Sequence, residues 1–267
     1  MEFRTVVDIT KPEFEIGPCE EMLFVGSCFA DSIGQRFREE GFPVTVNPYG
    51  TMYNPASVLH TIGQVPKIPR IVFLTLGTNH IYRLKETGEI VDNCEKRPAA
   101  LFQEEELTVE ECADYLSQTV GLLCRANPDV RVVLTVSPIR YRKYGYHGSL
   151  LSKATLLLAV EKVIQKGVTY FPAYEIVNDE LRDYRFYASD MLHPSEQAVA
   201  YIWERLVETC FSTEAKAFLE EWRPLKQALG HKPFNPDSPE TLRFQEQVGQ
   251  RLKAFKEKYP AFEEDRR

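Results

Sequence analysis

Five runs of this chain are apolar almost throughout, and segments of helical spacing separate them. No other feature restricts the fold as much. The runs are MLFVG (22–26), PVTVN (43–47), RIVFLTLG (70–77), RVVLTVSP (131–138) and VTYFPAYEIV (168–177). A strand with one wet face alternates apolar and polar residues, whereas a strand covered on both faces has no polar side to show. FADSIGQRFREEG follows the first run, PASVLHTIGQ the second and SLLSKATLLLAVEKVIQKG the fourth, all with helical patterning. Alternating strands and helices predict right-handed crossovers and a three-layer α/β/α sandwich around a five-stranded parallel sheet, flavodoxin-like in outline.

Two segments depart from the alternation. IYRLKETGEIVDN (81–93) carries Thr87-Gly88 and predicts a small hairpin after the third strand, with TVEECADYLSQTVGLLCRANP (108–128) as the crossover helix. After the fifth run, Ala198, Ile202, Leu206 and Cys210 recur every four residues in a helix, with Pro194 suited to its first turn. Beyond residue 211 the character changes. STEAKAFLEEWRPLKQALG predicts a charged amphipathic helix ended by Pro224 or Gly230, and a second helix follows the proline-rich HKPFNPDSPET. The chain therefore divides into a main domain, 1–211, and a helical extension, 212–267, packed on it.

The chain has 267 residues, 27% of them charged, and a formal net charge of −7. That balance argues against disorder and against a nucleic-acid partner, which would call for a basic groove. No run reaches the roughly eighteen apolar residues of a membrane span. The first residues, MEFRTVVDITKPEF, mix charges with single hydrophobics, unlike a secretory leader, so the cytoplasm is the expected compartment. The six cysteines are scattered with no C-x-x-C pair and read as free thiols. No metal-ligand spacing, G-x-G-x-x-G or P-loop occurs, and neither metal nor cofactor is expected.

In an open parallel sheet, ligands bind outside the carboxyl ends of the strands. That edge receives Ser27 and Cys28 after the first strand, Asn47 to Gly50 after the second, and Gly77 to His80 after the third. The loop SPIRYRKYGYHG follows the fourth strand, and Asp190 with His193 lies beyond the fifth. A serine hydroxyl needs a base to take its proton, His193 can serve, and Asp190 three residues earlier can fix the imidazole tautomer. The Ser27 N–H, the Gly50 N–H and the Asn79 side-chain amide are candidate donors to the oxyanion. Ser27 is equally suited to capping the helix that follows. Cys28 is an alternative nucleophile, since helix N-termini favour thiolates, but one residue into the helix it is expected to point into packing. Tyr141, Tyr144 and Tyr146 belong either to a solvated loop or to a lid whose aromatic faces stack on a sugar, with YRFY (184–187) approaching from the other side.

GSCFA at 26–30, with NPYGTMYNP, LGTNHIY, NCEKRP, TVSPIR and DMLHPS, resembles the GSCFA family, itself similar to the SGNH/GDSL hydrolases. The resemblance spans most of residues 20–240. It implies a serine esterase or acyl hydrolase/acyltransferase passing through a Ser27 acyl-enzyme, with His193 and Asp190 as the acid–base pair and Gly50 and Asn79 at the oxyanion. The implied substrate is a small-molecule or glycan ester, a small acyl group on a carbohydrate-like alcohol. A ligand-binding protein that keeps the fold without the chemistry is the alternative. Asn79-His80 stands where the family pattern often has Ala-Trp, which makes Asn93 a second candidate for the oxyanion amide.

Overall fold

A computed structural model of the chain describes residues 4–92 and 97–264. Five parallel strands form the central sheet: β1 (Met22–Gly26), β2 (Val44–Val46), β3 (Ile71–Leu76), β7 (Arg131–Val136) and β8 (Val168–Tyr170), in the order β2-β1-β3-β7-β8. The apolar runs are continuous because alternate residues feed two different cores. Met22 and Phe24 of β1 and Ile71 and Phe73 of β3 enter one core. Leu23, Val25, Val72, Leu74 and Leu76 enter the other. Helices α1 (Cys28–Glu39) and α6 (Glu196–Cys210) cover the first face. Helices α2 (Pro55–Gln64), α3 (Val109–Ala126) and α4 (Gly145–Val163) cover the second. The expected α/β/α sandwich is the observed one.

The insertion after β3 is larger than a hairpin. Strands β4 (His80–Leu84) and β5 (Ile90–Val91) pair antiparallel as expected, but β6 (Phe102–Glu106) pairs with the other edge of β4 to make a separate three-stranded sheet. FQEEE has one apolar residue, and its backbone pairing alone makes it a strand. The fifth apolar run is strand only over Val168–Tyr170. After Pro172 it becomes a short helix, α5 (Ala173–Glu175), that runs on as a wide turn over Ile176–Leu181. Helix α6 starts later than expected: Ser195 caps it by accepting from the Ala198 N–H at 3.2 Å, and Pro194 stays outside.

Helix α7 (Thr213–Leu229) continues through Pro224 rather than ending there, because Trp222 and Leu225 on either side are 4% and 2% exposed and hold the backbone in place. With α8 (Pro239–Lys258) it packs on the C-terminal end of α1. Trp222 Nε1 donates to the Glu39 carbonyl at 3.3 Å, Lys226 pairs with Glu40 at 3.0 Å, and the Glu263 N–H donates to the Gly41 carbonyl at 3.1 Å. Those contacts lie about 18 Å along α1 from Ser27. The C-terminal helices therefore occupy the edge of the sheet opposite to the strand carboxyl ends. Among the described residues no helix is long and apolar enough to cross a membrane.

Candidate active site

The turn from β1 into α1 is clamped by its neighbours. The Gly26 N–H donates to Asn47 Oδ1 at 2.9 Å, the Ser27 N–H donates to the Thr75 carbonyl at 2.9 Å, and the Gly26 carbonyl accepts from the Met52 N–H at 2.8 Å. Gly26 has φ +143°, and a Cβ there would lie 2.1 Å from the Thr75 carbonyl oxygen, so only glycine fits. Ser27 has no exposed surface. Its Oγ accepts from the Phe29 N–H at 3.3 Å and lies 3.2 Å from Thr75 Oγ1. Its hydrogen bonds are thus those of a helix cap inside the sandwich, and none of them reaches His193.

Cys28 packs in part against the first core, as the sequence suggested, but is not fully buried. It is half-buried on the first turn of α1, with Sγ 3.6 Å from the Tyr53 hydroxyl. Tyr53 meets Tyr141 edge to face, ring centroids 6.0 Å apart. The Tyr141 hydroxyl is shut off from solvent, has no hydrogen-bond partner among the described residues and sits against Gly77, where a Cβ would come within 2.3 Å of it. Burial foremost, then the neighbouring Cys28 and Tyr53, push the Tyr141 hydroxyl well above its ordinary pKa, so it stays a proton donor. Beneath the ring lies Lys153, 2% exposed, with Nζ donating to the Gly77 carbonyl at 2.6 Å and 4.9 Å from the Tyr141 centroid. Burial alone lowers its pKa to about 7. The signal in the sequence, a lysine beside Ser149, Ser152 and Leu156 on α4, pointed equally to a surface residue.

Asp190 and His193 form the pair their spacing predicted. His193 Nδ1 lies 2.6 Å from Asp190 Oδ2, while Asp190 Oδ1 accepts the N–H groups of Leu192 at 2.8 Å and His193 at 3.0 Å. These backbone donors, and then the imidazole, hold the Asp190 carboxyl down at about 2. With Nδ1–H given to Asp190, Nε2 is left as the base. The loop is tied to β7 through Arg140, whose N–H donates to the Leu192 carbonyl at 3.0 Å and whose guanidinium donates to the Met191 carbonyl at 3.1 Å. Tyr141 is the next residue, so one dipeptide runs from the His193 loop to the neighbourhood of Cys28.

The oxyanion donors read from the sequence have partners inside the protein. The Gly50 N–H closes a turn onto the Asn47 carbonyl at 2.9 Å. Asn79, 3% exposed, gives its amide Nδ2 to the Leu107 carbonyl at 2.7 Å and braces the insertion. Asn93 lies outside the described residues. The tyrosine segment is also not one solvated loop. Tyr141 is half-buried, and Tyr144 stacks on His80 at 3.6 Å between centroids. Tyr146 packs on Arg140, 4.1 Å from guanidinium carbon to ring centroid. Arg140 is faced from the other side by Tyr184 and Tyr187, at 5.8 and 5.3 Å. A cavity of roughly 310 Å³ opens there, lined by Arg140, Tyr146, Lys153, Tyr174, Tyr184 and Tyr187 among others. On the other side of Tyr141 a second cavity of roughly 380 Å³ is lined by Tyr53, His80, Tyr82 and Tyr144.

The model of the GSCFA family matches residues 21–69 and 63–206, and that of the GSCFA domain protein C-terminal domain matches residues 222–265. The chain belongs to the GSCFA family. No curated protein matches it. Among solved structures, a catalytic mutant of an acetylxylan esterase from Geobacillus stearothermophilus is similar at 16% identity, over 74% of this chain and 98% of that one, with a TM-score of 0.46. A carbohydrate esterase family 3 structure from Talaromyces cellulolyticus is similar at 11% identity, over 78% and 98%, with a TM-score of 0.40. A family 3 carbohydrate esterase from Clostridium thermocellum follows at 14% identity, over 71% and 95%, with a TM-score of 0.42.

Proposed function

We propose that this GSCFA protein is an acyl-ester hydrolase, with His193 as general base and acid, Asp190 as the group that orients it, and a nucleophile in the Ser27-Cys28 turn at the start of α1. The observation that carries the reading is the 2.6 Å Asp190–His193 contact. A carboxylate that accepts two backbone N–H groups and the imidazole proton is held ionised and aimed, which is what a base needs in order to accept a proton and return it to a leaving alcohol. The N-terminus of α1 supports it, since backbone N–H groups there favour a developing oxyanion. The substrate class is a carbohydrate-like alcohol carrying a small acyl group. Tyr146, Tyr184 and Tyr187 around Arg140 offer ring faces and a hydrogen-bond fork, suited to a sugar beside the His193 loop.

The experiment is turnover of 4-nitrophenyl acetate and of acetylated xylo-oligosaccharides by the native chain and His193→Ala. Acetate release that falls about a hundredfold or more in the variant is the expected result. Equal release by both, or none from a folded native chain, refutes the hydrolase reading.

A further inference from the structure

Resting on that hydrolase reading, we propose that the nucleophile is the Cys28 thiol and that the intermediate is a thioester. Three observations converge. The Ser27 hydroxyl is fully buried and already caps α1 against Phe29 and Thr75, so attack would require it to break the helix cap and leave the sandwich. Cys28, one residue on, is the group of the turn that is part-exposed at the strand carboxyl edge, with Sγ at the Tyr53 hydroxyl. Beside it the Tyr141 hydroxyl is buried, protonated and unpartnered. A buried donor without an acceptor is costly in the free protein and favourable when an anionic oxygen arrives. Tyr141 thereby offers the oxyanion a donor that, unlike the Gly50 N–H, has no acceptor of its own among the described residues.

The chemistry balances without a cofactor. His193 Nε2 takes the thiol proton, and sulfur attacks the ester carbonyl carbon, forming a C–S bond and an oxyanion that Tyr141 can meet. Collapse breaks the C–O bond, and the alkoxide leaves with the proton from His193, giving the alcohol and an S-acyl Cys28. Water then adds to the thioester, His193 accepting its proton. The thiolate is expelled and reprotonated, and the carboxylic acid leaves.

The test uses the full chain, 4-nitrophenyl acetate with acid quench, and intact-mass and peptide mapping. The expected result is one acetyl group on Cys28, removed by neutral hydroxylamine and absent from Cys28→Ala and His193→Ala. Ser27→Ala should melt earlier yet still acetylate. An adduct on Ser27 that resists neutral hydroxylamine, or turnover kept by Cys28→Ala, overturns the proposal and leaves the hydrolase reading intact. Alkylation by limiting iodoacetamide separates the two further, because it needs no ester. If no ester is consumed but His193→Ala slows Cys28 alkylation about tenfold, the thiol–imidazole pair stands and the ester reading falls. If His193→Ala leaves that rate unchanged, the pair is refuted. Cys28→Ser, which replaces the thiol with a hydroxyl of similar shape, checks by its melting temperature that loss in Cys28→Ala reflects chemistry and not misfolding.

Discussion

Lys153 offers a quantitative check on the centre of the site. Its ammonium is buried under Tyr141 with one acceptor, the Gly77 carbonyl, and burial brings its pKa from 10.5 to about 7. Between those two values the unfolded chain holds a proton that the folded chain has released, so unfolding takes up a proton and stability rises with pH. The rise is at most about 1.4 kcal/mol per pH unit, and over pH 6 to 9 it sums to about 2.7 kcal/mol. Lys153→Met removes the titration. It also leaves the Gly77 carbonyl unpaired, at a cost of about 1–3 kcal/mol that does not vary with pH. The stability of the native chain relative to Lys153→Met should therefore increase by about 2.7 kcal/mol from pH 6 to pH 9, the variant faring best at the acid end. Urea unfolding followed by the fluorescence of buried Trp203 and Trp222 measures both chains at both pH values. Taking the difference cancels histidines and other groups that titrate in both. A relative change below about 0.5 kcal/mol would refute the placement of an uncompensated lysine in the interior.

Other substitutions test the frame. Gly77→Ala puts a Cβ 2.3 Å from the Tyr141 hydroxyl and 3.1 Å from the Tyr53 carbonyl. It should cost about 1–3 kcal/mol in thermal denaturation, and an unchanged melting temperature contradicts the close approach. Gly26→Ala would place a Cβ 2.1 Å from backbone at φ +143°, and expression should yield no cooperatively melting protein. Trp222→Ala empties the contact between α7 and the end of α1 and should cost about 3–5 kcal/mol, read by guanidinium unfolding. A smaller loss than 1 kcal/mol would mean that the extension is not docked there. Asp190→Asn keeps the shape but removes the charge, and ester turnover should fall about a hundredfold or more. Activity within threefold of native would remove Asp190 from the mechanism.

The parallel sheet was legible because its signal is strong: five runs with no polar face cannot be housed except between two layers of helices. The Asp190–His193 pair was legible from spacing alone, since three residues and a tight turn suffice to bring a carboxylate to Nδ1. What was not legible depended on partners distant in sequence. FQEEE has no strand pattern of its own and is a strand because β4 offers it an edge. Pro224 reads as one of two possible stops, and the burial of Trp222 and Leu225 carries the helix past it to the other, Gly230. Asn79 has the right residue type at the right edge, yet the Leu107 carbonyl claims its amide. Ser27 and Cys28 differ by one position, and at a strand-to-helix turn that step rotates a side chain from the interior to the edge. The periodicity of neither strand nor helix resolves such a step.

The tyrosine segment is fastened from outside the sandwich. Lys143 bonds the Tyr82 hydroxyl and reaches Glu104 at 2.8 Å, and Tyr144 lies flat on His80, so the hold on residues 143 and 144 comes from β4 and β6. The wall of the cleft is in this sense a replaceable part mounted on a fixed frame. Strands β4 to β6 make none of the hydrogen bonds that hold the Ser27 cap or the Asp190–His193 pair. Exchange of residues 80–106 between relatives should reshape the cavity lined by Tyr53, His80, Tyr82 and Tyr144 and leave the Asp190–His193 contact as it is.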